Sequence, residues 1–366
     1  MTAGAFNYTD SRRVSSLVSD RLDPHKILAE EIGPEYQAYR QKWDLARTFR
    51  ELPPFPLHVD YEMRFKCNLR CPMCLMSLGD AGRARYGQAE KSLSPARVME
   101  LIDEGAAAGQ KAMGFGGLWE PLLEPDLPAI IAHGRRRGLV DVMFNTNGLL
   151  LTEKTGRALI EAGLTRLMIS VDAATAGTYA KMRVGSDFGV VTENIERFAA
   201  LRRAMGRQLP LIRVSFCLTA LNEAELPAFM DRWREVVDFF SIQAYGRYDS
   251  LNPPDFPGRS ASDSSQRANA PQSGDGANAS AGKDILSRPP TVYGRCAQPG
   301  KRLLVRHNGQ VLPCCDASGL GLVVGDINSQ SLAEIWAGPE LAELRRALAG
   351  PRIPDLCREC QEKFGA

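Results

Sequence analysis

The sequence lacks any uninterrupted apolar run near the ~18 residues that a membrane span needs. It has no excess of charge of one sign: 45 basic side chains face 43 acidic ones, a net charge of +2. That balance gives no long-range field to hold a nucleic acid or an anionic membrane, so neither is expected as a partner. The first residues, MTAGAFNYTDSRR, have no apolar core behind their charges, so a cytoplasmic location is expected. Only four histidines are present, spread along the chain, so any metal should sit on sulfur. No internal repeat is visible.

Cysteine is what the 366 residues do have, nine in all and unevenly placed. Cys67, Cys71 and Cys74 form one set; Cys296, Cys314, Cys315, Cys357 and Cys360 form another; Cys217 stands apart. An odd number in an unexported chain argues for thiolate ligation over a disulfide framework.

Residues 1–56 read as a helical N-terminal extension, with the best helical spacing near 34–49, ended by Pro53, Pro54 and Pro56. From 57 to 248, strand-like segments (57–65, 111–116, 139–145, 165–171, 211–219, 237–245) alternate with helical ones (94–109, 126–138, 152–162, 188–205, 223–236). Ser94 and Pro95 suit a helix start. The alternation predicts an α/β fold with a parallel sheet or barrel.

Several of these strands are polar on one face, where fully buried parallel strands are usually apolar on both. Ile212, Val214, Phe216 and Leu218 oppose Arg213, Ser215, Cys217 and Thr219; Val59, Tyr61, Met63 and Phe65 oppose His58, Asp60, Glu62 and Arg64. Such alternation predicts an open barrel holding a large ligand, or else a half-solvated sheet.

Within residues 249–290, the stretch 258–283 holds nothing more apolar than Ala and reads as a disordered linker. The C-terminal module, 291–366, opens with a hairpin at Asn308-Gly309 and continues with a helix capped by Ser331 and Glu334, expected to run to about 348. It is small, so a metal site would supply what little core cannot.

Cys67-x3-Cys71-x2-Cys74 directly follows the first strand, at the strand end where ligands of parallel α/β folds collect. Three thiolates suit three irons of a cubane and leave the fourth open. A tetrahedral zinc would need a fourth close ligand, and the neighbouring sequence offers none. Cys296, Cys314, Cys357 and Cys360 would close a second site completely, with either zinc or a [4Fe–4S] cluster.

CNLRCPMC at 67–74 resembles the CxxxCxxC motif of the radical S-adenosylmethionine (SAM) superfamily. Gly116-Gly117-Leu118-Trp119-Glu120-Pro121-Leu122-Leu123 resembles its glycine-rich GGEPLL stretch, with Leu118 and Trp119 inserted. Asn145-Thr146-Asn147-Gly148 resembles its TNG, and Ser170-Val171-Asp172 with Arg183 resembles its fourth-strand region. Residues 291–366 look like the C-terminal SPASM/twitch extension.

The resemblance implies a partial (β/α)6 TIM-like barrel with a small C-terminal hairpin-plus-helix module, two [4Fe–4S] clusters and SAM. One cluster would sit on Cys67, Cys71 and Cys74 and the other on Cys296, Cys314, Cys357 and Cys360, Cys314 being preferred to Cys315. It implies that Glu120 meets the SAM amine and Arg183 its carboxylate. Asn145, Ser170 and Asp172 would meet the ribose, and Gly116 and Gly117 would let backbone approach closely. The chemistry it implies is reductive cleavage of SAM to a 5′-deoxyadenosyl radical that abstracts hydrogen. A flavodoxin or ferredoxin would supply the electron.

The expected reaction is oxidation of an alcohol on a small sugar or aminocyclitol, with the second cluster, docked over the barrel mouth, as electron acceptor. The polar inner face (Glu62, Arg64, Arg213, Ser215, Gln243, Tyr245) suits a hydroxyl-rich ligand. Epimerisation with Cys217 as hydrogen donor is one alternative, and modification of a peptide or protein is another.

Overall fold

The computed structural model describes residues 16–18, 23–49, 51–77, 91–245, 296–314, 321–350 and 353–363. The expected linker and Cys315 lie outside these residues. The described residues begin with β1 (Ser16–Val18), α1 (Pro24–Ile32) and α2 (Pro34–Leu45). The six expected strands follow: β2 (His58–Tyr61), β3 (Ala112–Phe115), β4 (Asp141–Thr146), β5 (Arg166–Ser170), β6 (Leu211–Leu218) and β7 (Phe239–Ala244). They pair in parallel in chain order, as a βα repeat with right-handed crossovers produces.

The crossover helices are α3 (Pro95–Ala108), α4 (Leu127–Arg136), α5 (Glu153–Glu161), α6 (Ala176–Met182), α7 (Phe188–Ala204) and α8 (Leu226–Trp233). Their starts are chemically marked. The Ser94 hydroxyl accepts from the Arg97 amide at 3.1 Å, with Pro95 at the first helical position, and Gly109 closes α3 in the left-handed region at φ 103°. Helix α6 was not anticipated. It spans seven residues, and its cap, Thr175, accepts from the Thr178 amide.

The C-terminal module extends this sheet. Strand β8 (Arg302–Val305) pairs in parallel with β2, and β9 (Gln310–Leu312) and β10 (Gly325–Asp326) continue it antiparallel. At the opposite edge β1 lies antiparallel to β7, so ten strands run in one sheet. The expected hairpin at Asn308-Gly309 is therefore present, and its described part joins the barrel edge to edge along β2. The capping box of Ser331 and Glu334 starts α9 (Leu332–Ala337), but the helix does not run to 348. Pro339 has no amide to donate and forces Gly338 into an extended conformation, so α10 (Pro339–Ala349) begins afresh. Helix α11 (Asp355–Lys363) follows.

The outer faces of the strands form the main core: Val59, Val142, Leu167, Ile212 and Val214 are fully buried beneath the helices. The inner side is closed at the strands' N-terminal ends by α2. Tyr36, Tyr39 and Trp43 pack there on Leu57, Ala112, Leu211 and Phe239. Each such burial contributes roughly 2–3 kcal/mol. The plug is also held by polar contacts. Arg166 Nη2 donates to the Tyr36 hydroxyl at 2.6 Å and pairs with Asp141 at 2.6 Å. The N-terminal helices thus give the barrel a floor and leave its C-terminal rim for a ligand. Among the described residues no helix is long and apolar enough to cross a membrane.

Candidate active site at the C-terminal rim

The loop after β2 carries Cys67, Cys71 and Cys74. It is pinned from two sides. The Arg70 amide donates to the Val184 carbonyl at 2.8 Å, and Asn147 Nδ2 donates to Asn68 Oδ1 at 2.8 Å. Nitrogen donors also face the sulfurs. The Leu69 amide lies 3.4 Å from Cys67 Sγ, Arg183 Nη1 lies 3.7 Å from Cys71 Sγ, and Asn147 Nδ2 lies 4.0 Å from Cys67 Sγ. Burial pushes the Cys74 thiol up to about 11, and the neighbouring Cys71 and Cys67 add to this. Three grouped sulfurs, two of them receiving N–H donors, fit a cluster whose sulfurs are ordinarily hydrogen-bonded. Among the described residues no three His, Cys, Asp or Glu side chains converge as a single metal ion would require. A cubane instead spreads its thiolates over separate irons.

Glu120 is buried and ties the loops together. Its carboxylate accepts from the Thr146 hydroxyl at 2.7 Å, the Asn147 amide at 2.8 Å and the Leu122 amide at 3.0 Å. It therefore spends most of its capacity on the turn after β4. Burial pushes its pKa up, against the pull of those donors.

The two residues inserted before it have structural uses. The Leu118 amide donates to Glu62 Oε2 at 2.7 Å. Trp119 packs edge-on to Phe115 and donates Nε1–H to the Gly116 carbonyl at 2.8 Å. Gly117 sits at φ 97°, and a Cβ there would meet the Glu62 carboxylate at 2.2 Å. The glycine thus makes room for Glu62.

Asp172 and Arg183 pair with each other. Asp172 Oδ2 faces Arg183 Nη2, and Oδ1 accepts from the Cys217 amide at 2.7 Å. Both oxygens have partners within the protein. Ser170 is half-buried and Asn145 is exposed, at the C-terminal ends of β5 and β4.

The six inner-face residues expected to meet substrate divide into two groups. Glu62 Oε1 accepts from His307 Nδ1 at 2.8 Å and from Arg306 Nε at 3.3 Å, so it joins β2 to the C-terminal hairpin. Arg64 donates to Glu124 at 2.7 Å. Partners within the protein hold both. Arg213, Ser215, Gln243 and Tyr245 remain on the inner side.

Strand register sets Asn145, Met168 and Arg213 side by side, then Ser170, Ser215 and Ser241, then Cys217 and Gln243. Ser241 is fully buried, and among the described residues its hydroxyl has no hydrogen-bond partner. Cys217 is half-buried on the same wall. Ser241 and Asn222 escaped the sequence reading, and Asn147 was quoted there without a role. Asn222 Nδ2 donates to the carbonyls of Asp172 and Cys217, each at 2.8 Å. The motif Asn-Thr-Asn-Gly was the signal for Asn147, whose amide and side chain meet Glu120 and Asn68.

In the C-terminal module, Cys314 lies just beyond β9, and Cys357 and Cys360 sit one turn apart on α11. Burial pushes the Cys357 thiol up to about 11, with Cys296 close enough to add to it. The four are half-buried. Four sulfur donors fit a fully closed site, an iron–sulfur cluster or zinc.

Comparison with known proteins agrees with this chemistry. The family profile of the radical SAM superfamily matches residues 61–214, and that of SPASM, an iron–sulfur cluster-binding domain, matches 296–361. A probable GTP 3′,8-cyclase of Methanococcus maripaludis (strain C5) is 30% identical over 190 residues, 52% of this chain and 58% of that protein. The chain thus spans little more than half the length of that relative. The PqqA peptide cyclase of Gluconobacter oxydans is 26% identical over 324 residues, 85% of this chain and 84% of that protein. Streptococcus suis SuiB bound to S-adenosylmethionine shares the fold, with a TM-score of 0.60 at 15% identity over 85% of this chain and 72% of that one. A sulfur-bearing loop at the rim of a six-stranded parallel barrel, joined edge to edge to a second cysteine module, belongs to a known kind of enzyme. The chain is a member of the radical SAM superfamily with a C-terminal SPASM domain, and its cofactors are S-adenosylmethionine and two iron–sulfur clusters.

Proposed function

We propose that the protein oxidises an alcohol of a hydroxyl-rich small molecule, a sugar or aminocyclitol, to a ketone. Cys67, Cys71 and Cys74 would hold one [4Fe–4S] cluster, and Cys296, Cys314, Cys357 and Cys360 the other. When bound, SAM and the two clusters would supply a carbon-centred hydrogen abstractor and a one-electron acceptor. A small reducing protein such as a flavodoxin or ferredoxin would be the electron source. The protein's own part is to bind and orient. The α2 plug closes the floor, so a ligand enters from the rim. Ser170, Ser215 and Gln243 present hydroxyl and amide groups that exchange hydrogen bonds with vicinal alcohols. Arg213 adds a cationic donor beside them.

The observation that carries this reading is the polar inner wall of Ser170, Ser215, Cys217 and Gln243, of which Ser170, Cys217 and Gln243 are only half-buried. Partly exposed polar groups on an inner wall fit a site completed by a hydroxyl-rich ligand.

A second reading, modification of a peptide, is favoured by the Gluconobacter relative, whose similarity runs over 84% of its length. The two separate in an anaerobic assay with SAM and dithionite, offered a panel of polyols and aminocyclitols or a panel of peptides. Ketone formed in step with 5′-deoxyadenosine from a polyol supports the dehydrogenase reading. A cross-linked peptide supports the rival. Cys357→Ala with Cys360→Ala should retain SAM cleavage and lose the ketone; full turnover in that variant would remove the second cluster from the reaction.

A further inference from the structure

Asp172 adopts a left-handed backbone at φ 64°, one of two non-glycine residues with positive φ among those described. Aspartate tolerates that region better than most residues, but the position is still uncommon. The surroundings over-determine it. The Asp172 amide donates to the Ser215 carbonyl at 3.2 Å, its carbonyl accepts from Asn222, and its Oδ1 accepts from the Cys217 amide. Its remaining oxygen is aimed at Arg183 Nη2. Arg183 turns its other terminal nitrogen, Nη1, to Cys71 Sγ at 3.7 Å. The backbone on either side of Arg183 is fixed too. Its amide donates to the Tyr179 carbonyl at 2.7 Å, and the next residue, Val184, accepts from Arg70 in the cysteine loop at 2.8 Å.

A guanidinium on a flexible stem would not by itself stay on a sulfur. The buried carboxylate gives it one orientation, since a two-pronged cation aligned on one anion has its second prong fixed in direction.

We propose that Asp172 is a positioning residue that holds Arg183 against the Cys71 sulfur and thereby sets the reduction potential of the cluster on that sulfur. The proposal uses Cys71 as a cluster ligand and is independent of the substrate. A cationic N–H donor on a ligating sulfur draws charge from the thiolate. It stabilises the reduced, more negative state and raises the potential. Loss of either partner removes that donor, and the pair acts as one unit.

The test is a potentiometric titration of the reconstituted holoenzyme without SAM, read by EPR. The N-terminal cluster is identified as the signal lost in Cys71→Ala; a signal set unchanged by that variant would overturn the ligand assignment separately. Asp172→Asn and Arg183→Gln should both move this midpoint to more negative values. The double variant should move it no further than Arg183→Gln alone, because each substitution removes the same contact. The auxiliary cluster should not shift. Asp172→Glu keeps the charge on a longer arm and should fall between wild type and Arg183→Gln, which carries the test if Asp172→Asn fails to load its cluster. An unchanged or more positive midpoint in Asp172→Asn or Asp172→Glu, or additive shifts in the double variant, would overturn the proposal.

Discussion

On the β2 side of the barrel, inward-facing polar residues are spent on assembly. His58 Nε2 meets Asp60 Oδ1 at 2.9 Å, Arg302 pairs with Asp60 Oδ2 at 2.5 Å, and Glu62 gathers Leu118, Arg306 and His307. Gly114 and Gly117 leave room for the two carboxylates. On the β5–β7 side, the row Ser170, Ser215 and Ser241 makes no such tie to the C-terminal module, and one of its hydroxyls is unpartnered among the described residues. Both sides show the same polar-apolar alternation in sequence. In one wall the pattern joins two parts of a sheet; in the other it leaves polar groups on the inner side without that tie. What separates them is whether a partner strand supplies counter-charges, and that strand comes from some 240 positions downstream.

The comparison breaks first at Glu62. Glu62→Ala leaves Arg306, His307 and the Leu118 amide buried without their acceptor. It should cost about 3–5 kcal/mol in denaturant unfolding. A loss under about 1 kcal/mol would mean that the β2 wall is not an assembly device.

Asp60 gives the next effect. Burial works to raise its pKa, but Arg302 and His58 outweigh that and hold it at about 2. A folded-state pKa below the unfolded one contributes stability that is present above about pH 4 and lost as pH falls towards 2. Asp60→Asn should therefore remove about 2 kcal/mol at neutral pH and flatten the acid limb of the stability profile. Urea midpoints measured in parallel from pH 6 to pH 3 check this; parallel limbs for both proteins would contradict it.

The opposite wall should respond in activity and not in stability. Ser215→Ala and Gln243→Ala should each lower kcat/KM for the alcohol roughly 10- to 100-fold, about 1.4–2.8 kcal/mol of transition-state binding. Their unfolding midpoints should stay near wild type. A fall in stability with unchanged kinetics would make this wall structural too. The smallest effect is expected at Cys217. Cys217→Ala should form ketone within about threefold of wild type, in accord with a half-buried thiol that only packs. Incorporation of solvent deuterium into an inverted substrate carbon, lost in this variant, would instead make Cys217 a hydrogen donor and the reaction an epimerisation.

The local features of the fold were legible in the sequence. Ser94 and Pro95, the Ser331–Glu334 box, the Asn308-Gly309 turn and the period-2 strands each carry their own signal within a few residues. The short α6 and the break at Gly338-Pro339 were missed, the first because seven residues show little periodicity. The second had a readable signal in its proline. Helix α1 likewise starts with a marked cap, Asp23, whose side chain accepts from the His25 amide at 2.8 Å. The site was legible as motifs but not as contacts. Glu120 and Asp172 were identified as residue types suited to SAM, whereas the structure turns them on Thr146, Asn147, Arg183 and Cys217. No local pattern reports which oxygen of a carboxylate is already occupied.

The most direct test of the account follows one hydrogen. A polyol or aminocyclitol that supports turnover is labelled with deuterium at its carbinol carbon and incubated anaerobically with the reduced enzyme and SAM. The account predicts deuterium in 5′-deoxyadenosine and an equal amount of unlabelled ketone. SAM cleavage that responds to peptides alone, with no label leaving any carbinol carbon, would contradict it.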